Sequence, residues 1–289
     1  MLDDTSHATV PRAGITSEGA SLRIATVALT VRDLGRVSRF YQDVIGLRPI
    51  RTEPGRHQLG AGGRVLLDLR HDPEATLASR KDAGLFHVAF LLPTRADLAD
   101  WMVHVADSGV RLEGASDHLV SEAFYLSDPE GNGIEVYWDR PSEVWTHEKD
   151  GLVKMATLPL NLRELRDLAT GRPFDGMPGG TIVGHVHLQV GELKAAQDFY
   201  AGVMGFDVAC HYPGATFLGA DGYHHHIGTN VWNSRGAGRR PEGATGLAEV
   251  GLIAEPQVMK ALASRLTADD DGTLAAEDPW GTRLRVAAA

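Results

Sequence analysis

Residues 24–47 read IATVALTVRDLGRVSRFYQDVIGL, and residues 183–206 read VGHVHLQVGELKAAQDFYAGVMGF. The two align without a gap at an offset of 159 residues. Each holds an alternating run, a polar turn, an amphipathic stretch and a glycine. Alternation of period two predicts a strand, and apolar residues three and four apart predict a helix. In the first copy Asp33 is placed to cap the helix, Leu34, Val37, Tyr41 and Val44 form one apolar stripe, and Gly46 ends it. In the second, Leu193, Ala196, Tyr200 and Val203 repeat the stripe ahead of Gly205.

Outward from this pair lies another. Residues 84–110 and 246–272 again read as strand then helix. Both run on into strands through an Asp-Pro-x-Gly turn, in DPEGNGIEV at 128–136 and DPWGTRLRV at 278–286. Proline second and glycine fourth suit a type I turn. Four βαβββ units are therefore expected in series, over residues 22–72, 84–140, 181–233 and 246–287. The first two make an N-terminal region, 22–140, and the last two a C-terminal region, 181–289. Between them, 141–180 reads as a linker with one helix, where Asn161 can cap and Glu164 can reach back. Residues 1–21 are polar and read as a disordered tail. A lone βαβββ unit leaves one sheet face bare. The expected fold is thus α+β, its four modules paired into two curved mixed β-sheet barrels, each enclosing a cavity.

Composition narrows the function. Of 289 residues, 43% are apolar and 23% charged, which excludes a disordered chain, and no apolar run has membrane-spanning length. The net charge of −10 argues against nucleic acid as partner and leaves small molecules. Cys210 is the one cysteine, so an intrachain disulfide and a cysteine-built zinc site are both ruled out, and a cytoplasmic location fits. Histidine stands out, with 13 residues.

The stretches GLFHVAFLLP (84–93), DHLVSEAFYLSDPEGNGIEVYWDRP (117–141), GHVHLQV (184–190) and GYHHHIGTNVW (222–232) carry a resemblance. With the repeat plan, they make the chain similar to the vicinal oxygen chelate superfamily of glyoxalase I, bleomycin-resistance proteins and type I extradiol dioxygenases. Within it they resemble the catechol 2,3-dioxygenase branch. Non-heme Fe(II) oxygenases hold iron with two histidines and one carboxylate. The first-strand position of the four units holds Thr26, His87, His185 and Glu249 in turn, and the last-strand position holds Glu135 in unit two and Arg285 in unit four. Only His87, His185 and Glu135 suit that set, and the resemblance implies that they bind the metal. Glu135, in GIEVYW, needs a cation if buried, or else a salt bridge on an outer face. His187 shares the strand face of His185 and reads as pocket wall.

The run His224-His225-His226 resembles the family's Gly-x-His-His motif, whose second histidine is the acid/base group; the match falls on His225. On a strand, its neighbours would face the other way, and a solvent-facing polar strand is the competing reading. Tyr125, ten residues before Glu135, matches the family's tyrosine that contacts substrate or bound oxygen; a core tyrosine is the alternative. His118 matches a histidine that supports the site from behind. The resemblance implies Fe(II)-dependent extradiol cleavage of a catechol-type substrate with O2, Mn(II) suiting the same ligands. The implied partners are a small aromatic diol and O2, with homo-oligomerisation left open. Two other classes also stay open: a glyoxalase-type metal-dependent isomerase or lyase, and a metal-free resistance protein that sequesters small molecules.

The order of the units departs from the better-known extradiol enzymes, in which the unit with the lone histidine comes first. Here His87 and Glu135 (unit two) precede His185 (unit three). Pairing units two and three within one chain would bring them together, with Thr26, Glu249 and Arg285 in a metal-free pair of units one and four. Pairing in sequence order would instead build the site across two chains.

Overall fold

The computed structural model describes residues 14–289. All four βαβββ units are present, and they pair as units one with four and two with three. The first sheet has eight strands in the order Thr267–Ala268, Leu274–Glu277, Arg283–Ala288, Gly246–Ala254, Leu22–Val31, Arg64–His71, Arg56–Ala61 and Arg48–Glu53. The second has nine, in the order Asp207–Tyr212, Ala215–Gly219, Ile227–Asn230, Ile182–Gln189, Gly84–Leu91, Gly133–Asp139, Ser121–Ser127, Gly114–Asp117 and Leu158–Pro159. Each sheet is thus centred on an antiparallel pair of first strands, Leu22–Val31 with Gly246–Ala254 and Ile182–Gln189 with Gly84–Leu91. The sequence halves 22–140 and 181–289 are intertwined in space, since each sheet takes one unit from either half.

The local predictions hold where the signal is local. Asp33 accepts from the Arg36 amide at 2.9 Å and starts the helix Leu34–Phe40. That helix widens into a π turn at Tyr41–Ile45 and stops at Gly46, whose φ of 92° falls in the left-handed region that glycine tolerates. The same widening recurs in the second copy at Asp198–Val203. In both places a buried tyrosine reaches the aspartate of an Asp-Pro turn: Tyr41 to Asp128 at 3.5 Å and Tyr200 to Asp278 at 2.9 Å. Each helix is thereby docked on the unit that follows it. Asn161 caps Leu162–Arg166 as expected, while Glu164 answers through the Asn161 side-chain amide rather than its backbone.

Two expectations change. The linker is also structural, because Leu158–Pro159 pairs with Gly114–Asp117 as the ninth strand. Of the expected tail 1–21, residues 1–13 lie outside the described residues, but 14–21 are docked: Ser17 is buried, and its hydroxyl donates to the Gly184 carbonyl at 3.1 Å. One hydrophobic core runs through both sheets, joining Val27, Leu29 and Val31 with Val88, Phe90, Val186 and Leu188. Among the described residues no helix is long and apolar enough to cross a membrane.

Candidate metal centre and substrate cavity

His87, Ala89, His185, His187 and Glu135 lie on one face of three adjoining strands. Across the antiparallel pair, His87 sits opposite His187 and Ala89 opposite His185; across the parallel pair, Ala89 sits beside Glu135. Ala89 thus separates His185 from Glu135, and its single methyl lets the two longer side chains meet above it. His87 Nε2 lies 3.0 Å from Glu135 Oε2 and 3.3 Å from His185 Nε2, and His185 Nε2 lies 3.2 Å from Glu135 Oε2. Donors each about 2.1 Å from one ion and at right angles stand about 3.0 Å apart, so the spacing of these atoms would suit three ligands of one ion. All three residues are buried, and they are the one such group of possible ligands among the described residues.

The electrostatics fit a cation. Burying a carboxylate costs several kcal/mol in water-excluded surroundings, about the size of effect that demands a partner. Burial pushes Glu135 up, but His185 and His87 outweigh it and hold its carboxyl well below the usual carboxylate range. Burial, opposed by Glu135, lowers His185, and burial with the neighbouring histidines holds His187 well below the ordinary imidazole value. Neutral imidazoles are what metal ligation requires.

A cavity of about 340 Å³ opens over this face. In register, the unit-three position equivalent to Glu135 is Gly228, opposite His187 on the neighbouring strand. It brings no fourth ligand, so that side stays open. A Cβ on Gly228 would also stand 2.9 Å from the His187 ring. Phe86 meets His187 and Trp232 edge to face, His187 and Trp232 are tilted to each other, and the three rings, with centroids 5.1–5.4 Å apart, form an aromatic wall.

His118, Tyr125 and His225 all line the same cavity. The ten-residue spacing of Tyr125 and Glu135 has a simple cause: they are directly opposite across the hairpin that turns at Asp128. His118 Nδ1 donates to the Ala156 carbonyl at 2.7 Å, so neutral His118 accepts the Tyr125 hydroxyl proton at Nε2, 2.6 Å away. In that state Tyr125 offers the cavity an acceptor; protonation of His118 frees the Tyr125 hydroxyl to donate. Burial, then the Glu135 carboxylate, raises Tyr125 well above its usual value, so it is a neutral phenol.

The three histidines 224–226 are not on a strand. They form an irregular segment ahead of Ile227–Asn230, and all three are buried, which removes the solvent-facing reading. His225 faces the cavity, its ring centroid 4.1 Å from that of His185. Burial, reinforced by His185 and His224, holds it well below the ordinary imidazole value. His224 turns instead to Asp139, and His226 to the backbone of Ala220 and Ser17.

The companion sheet has no such set. Its structural counterparts of His87, His185 and Glu135 are Thr26, Glu249 and Asp68, arranged around Ala28 as the others are around Ala89. Asp68 escapes a sequence reading because its strand lacks the Asp-Pro turn that marks the last strands of units two and four. Arg70 lies between the carboxylates, 2.9 Å from Asp68 and 3.0 Å from Glu249, so a guanidinium takes the cation's place. Arg285 pairs at the far side with Asp269 and Asp271. Asp139 and Ala89 were also missed, although Glu135, Tyr137 and Asp139 share one face by simple alternation.

Comparison with known proteins agrees with this geometry. The family model for the glyoxalase/bleomycin resistance protein/dioxygenase superfamily matches residues 23–136 and 182–277. The chain is 42% identical over 237 residues to catechol-2,3-dioxygenase of Bacillus subtilis (strain 168), covering 81% of this chain and 83% of that protein. It is 29% identical over 126 residues to biphenyl-2,3-diol 1,2-dioxygenase 3 of Rhodococcus globerulus, covering 40% and 63%. Glyoxalase I from Zea mays shares the fold, with a TM-score of 0.55 at 14% identity over 93% of each chain. With βαβββ units in both matched segments and a relative this similar along most of its length, the chain belongs to the glyoxalase/bleomycin resistance protein/dioxygenase superfamily.

Proposed function

We propose that this protein is an Fe(II)-dependent extradiol dioxygenase, which opens a catechol-type ring beside its two hydroxyls and incorporates both atoms of O2. The observation that carries the reading is the convergence of two imidazole nitrogens and one carboxylate oxygen within 3.3 Å of one another under an open cavity. The similarity to a catechol-2,3-dioxygenase supports it. His87, His185 and Glu135 are the ligands. When bound, the metal supplies Lewis acidity toward the diol oxygens and adjoining open positions for diol and O2.

The chain's own groups do the rest. The aromatic wall of Phe86, His187 and Trp232 receives the flat ring and excludes water. His225 takes a proton from a diol hydroxyl and returns it later, as a general acid/base. Tyr125, backed by His118, hydrogen-bonds an oxygen of the reacting group. Glu135 brings one negative charge, which would leave a divalent ion's site at a net +1 for an anionic diol oxygen to neutralise. A glyoxalase-type reaction would call for a further carboxylate, and Gly228 stands where unit three would supply it. Aromatic breakdown is the setting such a reaction implies.

The test is direct. Protein purified anaerobically and loaded with Fe(II) should hold about one ion per chain and turn catechol yellow when O2 is admitted. A loaded protein that opens no catechol-type ring refutes the reading.

A further inference from the structure

Behind His225 lies a chain of polar groups, buried except for the partly exposed Asp139, that ring cleavage leaves without a role. His224 Nδ1 stands 2.8 Å from Nδ1 of His225, and its Nε2 stands 2.7 Å from Asp139 Oδ1. Asp139 Oδ2 accepts the Tyr223 hydroxyl at 2.8 Å, and the Tyr223 oxygen lies 3.0 Å from the Tyr137 hydroxyl. His224 is completely buried. Its ring is wedged between Tyr223, with centroids 4.1 Å apart, and the edge of Trp145, at 5.1 Å. Both of its ring nitrogens are engaged.

Proton counting then assigns the hydrogen bonds. A carboxylate only accepts, so His224 Nε2 carries a proton toward Asp139. Neutral His224 therefore presents a bare Nδ1. One proton must lie between the two Nδ1 atoms, and it belongs to His225. Neutral His225 is left with a bare Nε2, which makes no hydrogen bond among the described residues, on a ring that lines the cavity.

We propose that Asp139 and His224 are positioning residues, which lock His225 in the tautomer whose unprotonated Nε2 faces the substrate. The opposite tautomer would present an N–H donor where an acceptor is needed. A carboxylate that fixes an imidazole's tautomer and orientation in this way has large effects on turnover elsewhere. What Nε2 does there rests on the ring-cleavage reading; the tautomer itself does not.

Long-range proton–nitrogen NMR on the full chain loaded with Zn(II), a diamagnetic ion that accepts the same donors, reads the tautomer without any turnover. In the wild-type protein His225 should show a protonated Nδ1 and a bare Nε2. His224→Phe keeps the ring but removes both hydrogen bonds. It should scramble the His225 tautomer and lower kcat at least ~10-fold, with KM for catechol and iron content unchanged. His224→Gln keeps an acceptor and a donor a ring's width apart and should restore most of the lost kcat. A wild-type spectrum with Nε2 protonated overturns the proposal, and so does a His224→Phe variant with unchanged tautomer and kcat. If the Fe(II)-loaded wild-type protein opens no catechol, the ring-cleavage reading fails while the spectrum of the Zn(II)-loaded protein still decides the tautomer.

Discussion

Glu135 Oε2 lies 3.2 Å from Nε2 of His185, fifty residues later in the chain and on the far side of the linker, and the two side chains meet above Ala89. The centre of the cavity is thus a seam between units two and three. Everything the site can do depends on how accurately that seam closes.

Removal of any one of His87, Glu135 or His185 as alanine should abolish stoichiometric iron and ring cleavage together. Metal analysis and a catechol assay check this. Iron in excess of its dissociation constant by a hundredfold should also stabilise the wild-type fold by about 2.7 kcal/mol. Chelation should therefore lower the thermal midpoint of the wild-type protein and leave that of the three variants unmoved. A variant with normal iron content would strike its residue from the ligand set.

Ala89→Leu tests the seam without touching a ligand. The larger side chain wedges between His185 and Glu135 and should cost roughly 1–3 kcal/mol of stability by overpacking. Iron affinity should fall at least ~10-fold, since a displacement of even an ångström breaks the ligand face. Metal titration on the folded variant gives the answer, and unaltered affinity would mean that the spacing of the two strands is not set by Ala89.

Because one chain supplies all three donors, mixing inactive variants should restore nothing. His87→Ala and His185→Ala proteins, unfolded and refolded together, should stay without activity in every ratio. Recovered activity would put His185 of one chain beside His87 of another and contradict the observed pairing of Ile182–Gln189 with Gly84–Leu91.

His226 gives the fold a dependence on acid. Burial lowers its imidazole to about 3. It stays neutral because Nδ1 accepts from the Ala220 amide at 3.2 Å while Nε2 donates to the Ser17 carbonyl at 3.3 Å. The unfolded chain binds that proton near pH 6.5, the folded chain only near 3. Its contribution is complete above pH 6.5 and is lost as pH falls from there toward 3, at about 1.4 kcal/mol per pH unit. Urea unfolding of metal-free wild-type and His226→Gln proteins between pH 7 and 5 should show a shallower loss in the variant. Parallel curves would refute this assignment.

Much of the molecule was legible before any coordinates. The strand–helix repeats, the Asp33 and Asn161 caps and the Gly46 stop follow from signals a few residues long, because a helix or strand repeats its side-chain direction at a fixed local period. His87, His185 and Glu135 stand out by their equivalent positions in the repeats and because ionisable residues in apolar runs are costly without a partner, and His225 by its resemblance to the family's Gly-x-His-His motif. Tertiary structure decided the rest. That unit two pairs with unit three is a choice among strand edges hundreds of bonds apart, settled by packing of the whole core. Ala89, Gly228 and Asp139 matter only through neighbours on adjoining strands, which no spacing along one strand reveals. His224, His225 and His226 left the expected strand because each side chain found a different buried partner: Asp139, the cavity, and the docked segment at Ser17. Chain order sets which side chains a segment carries, and only the closed sheet sets which of them share one point in space.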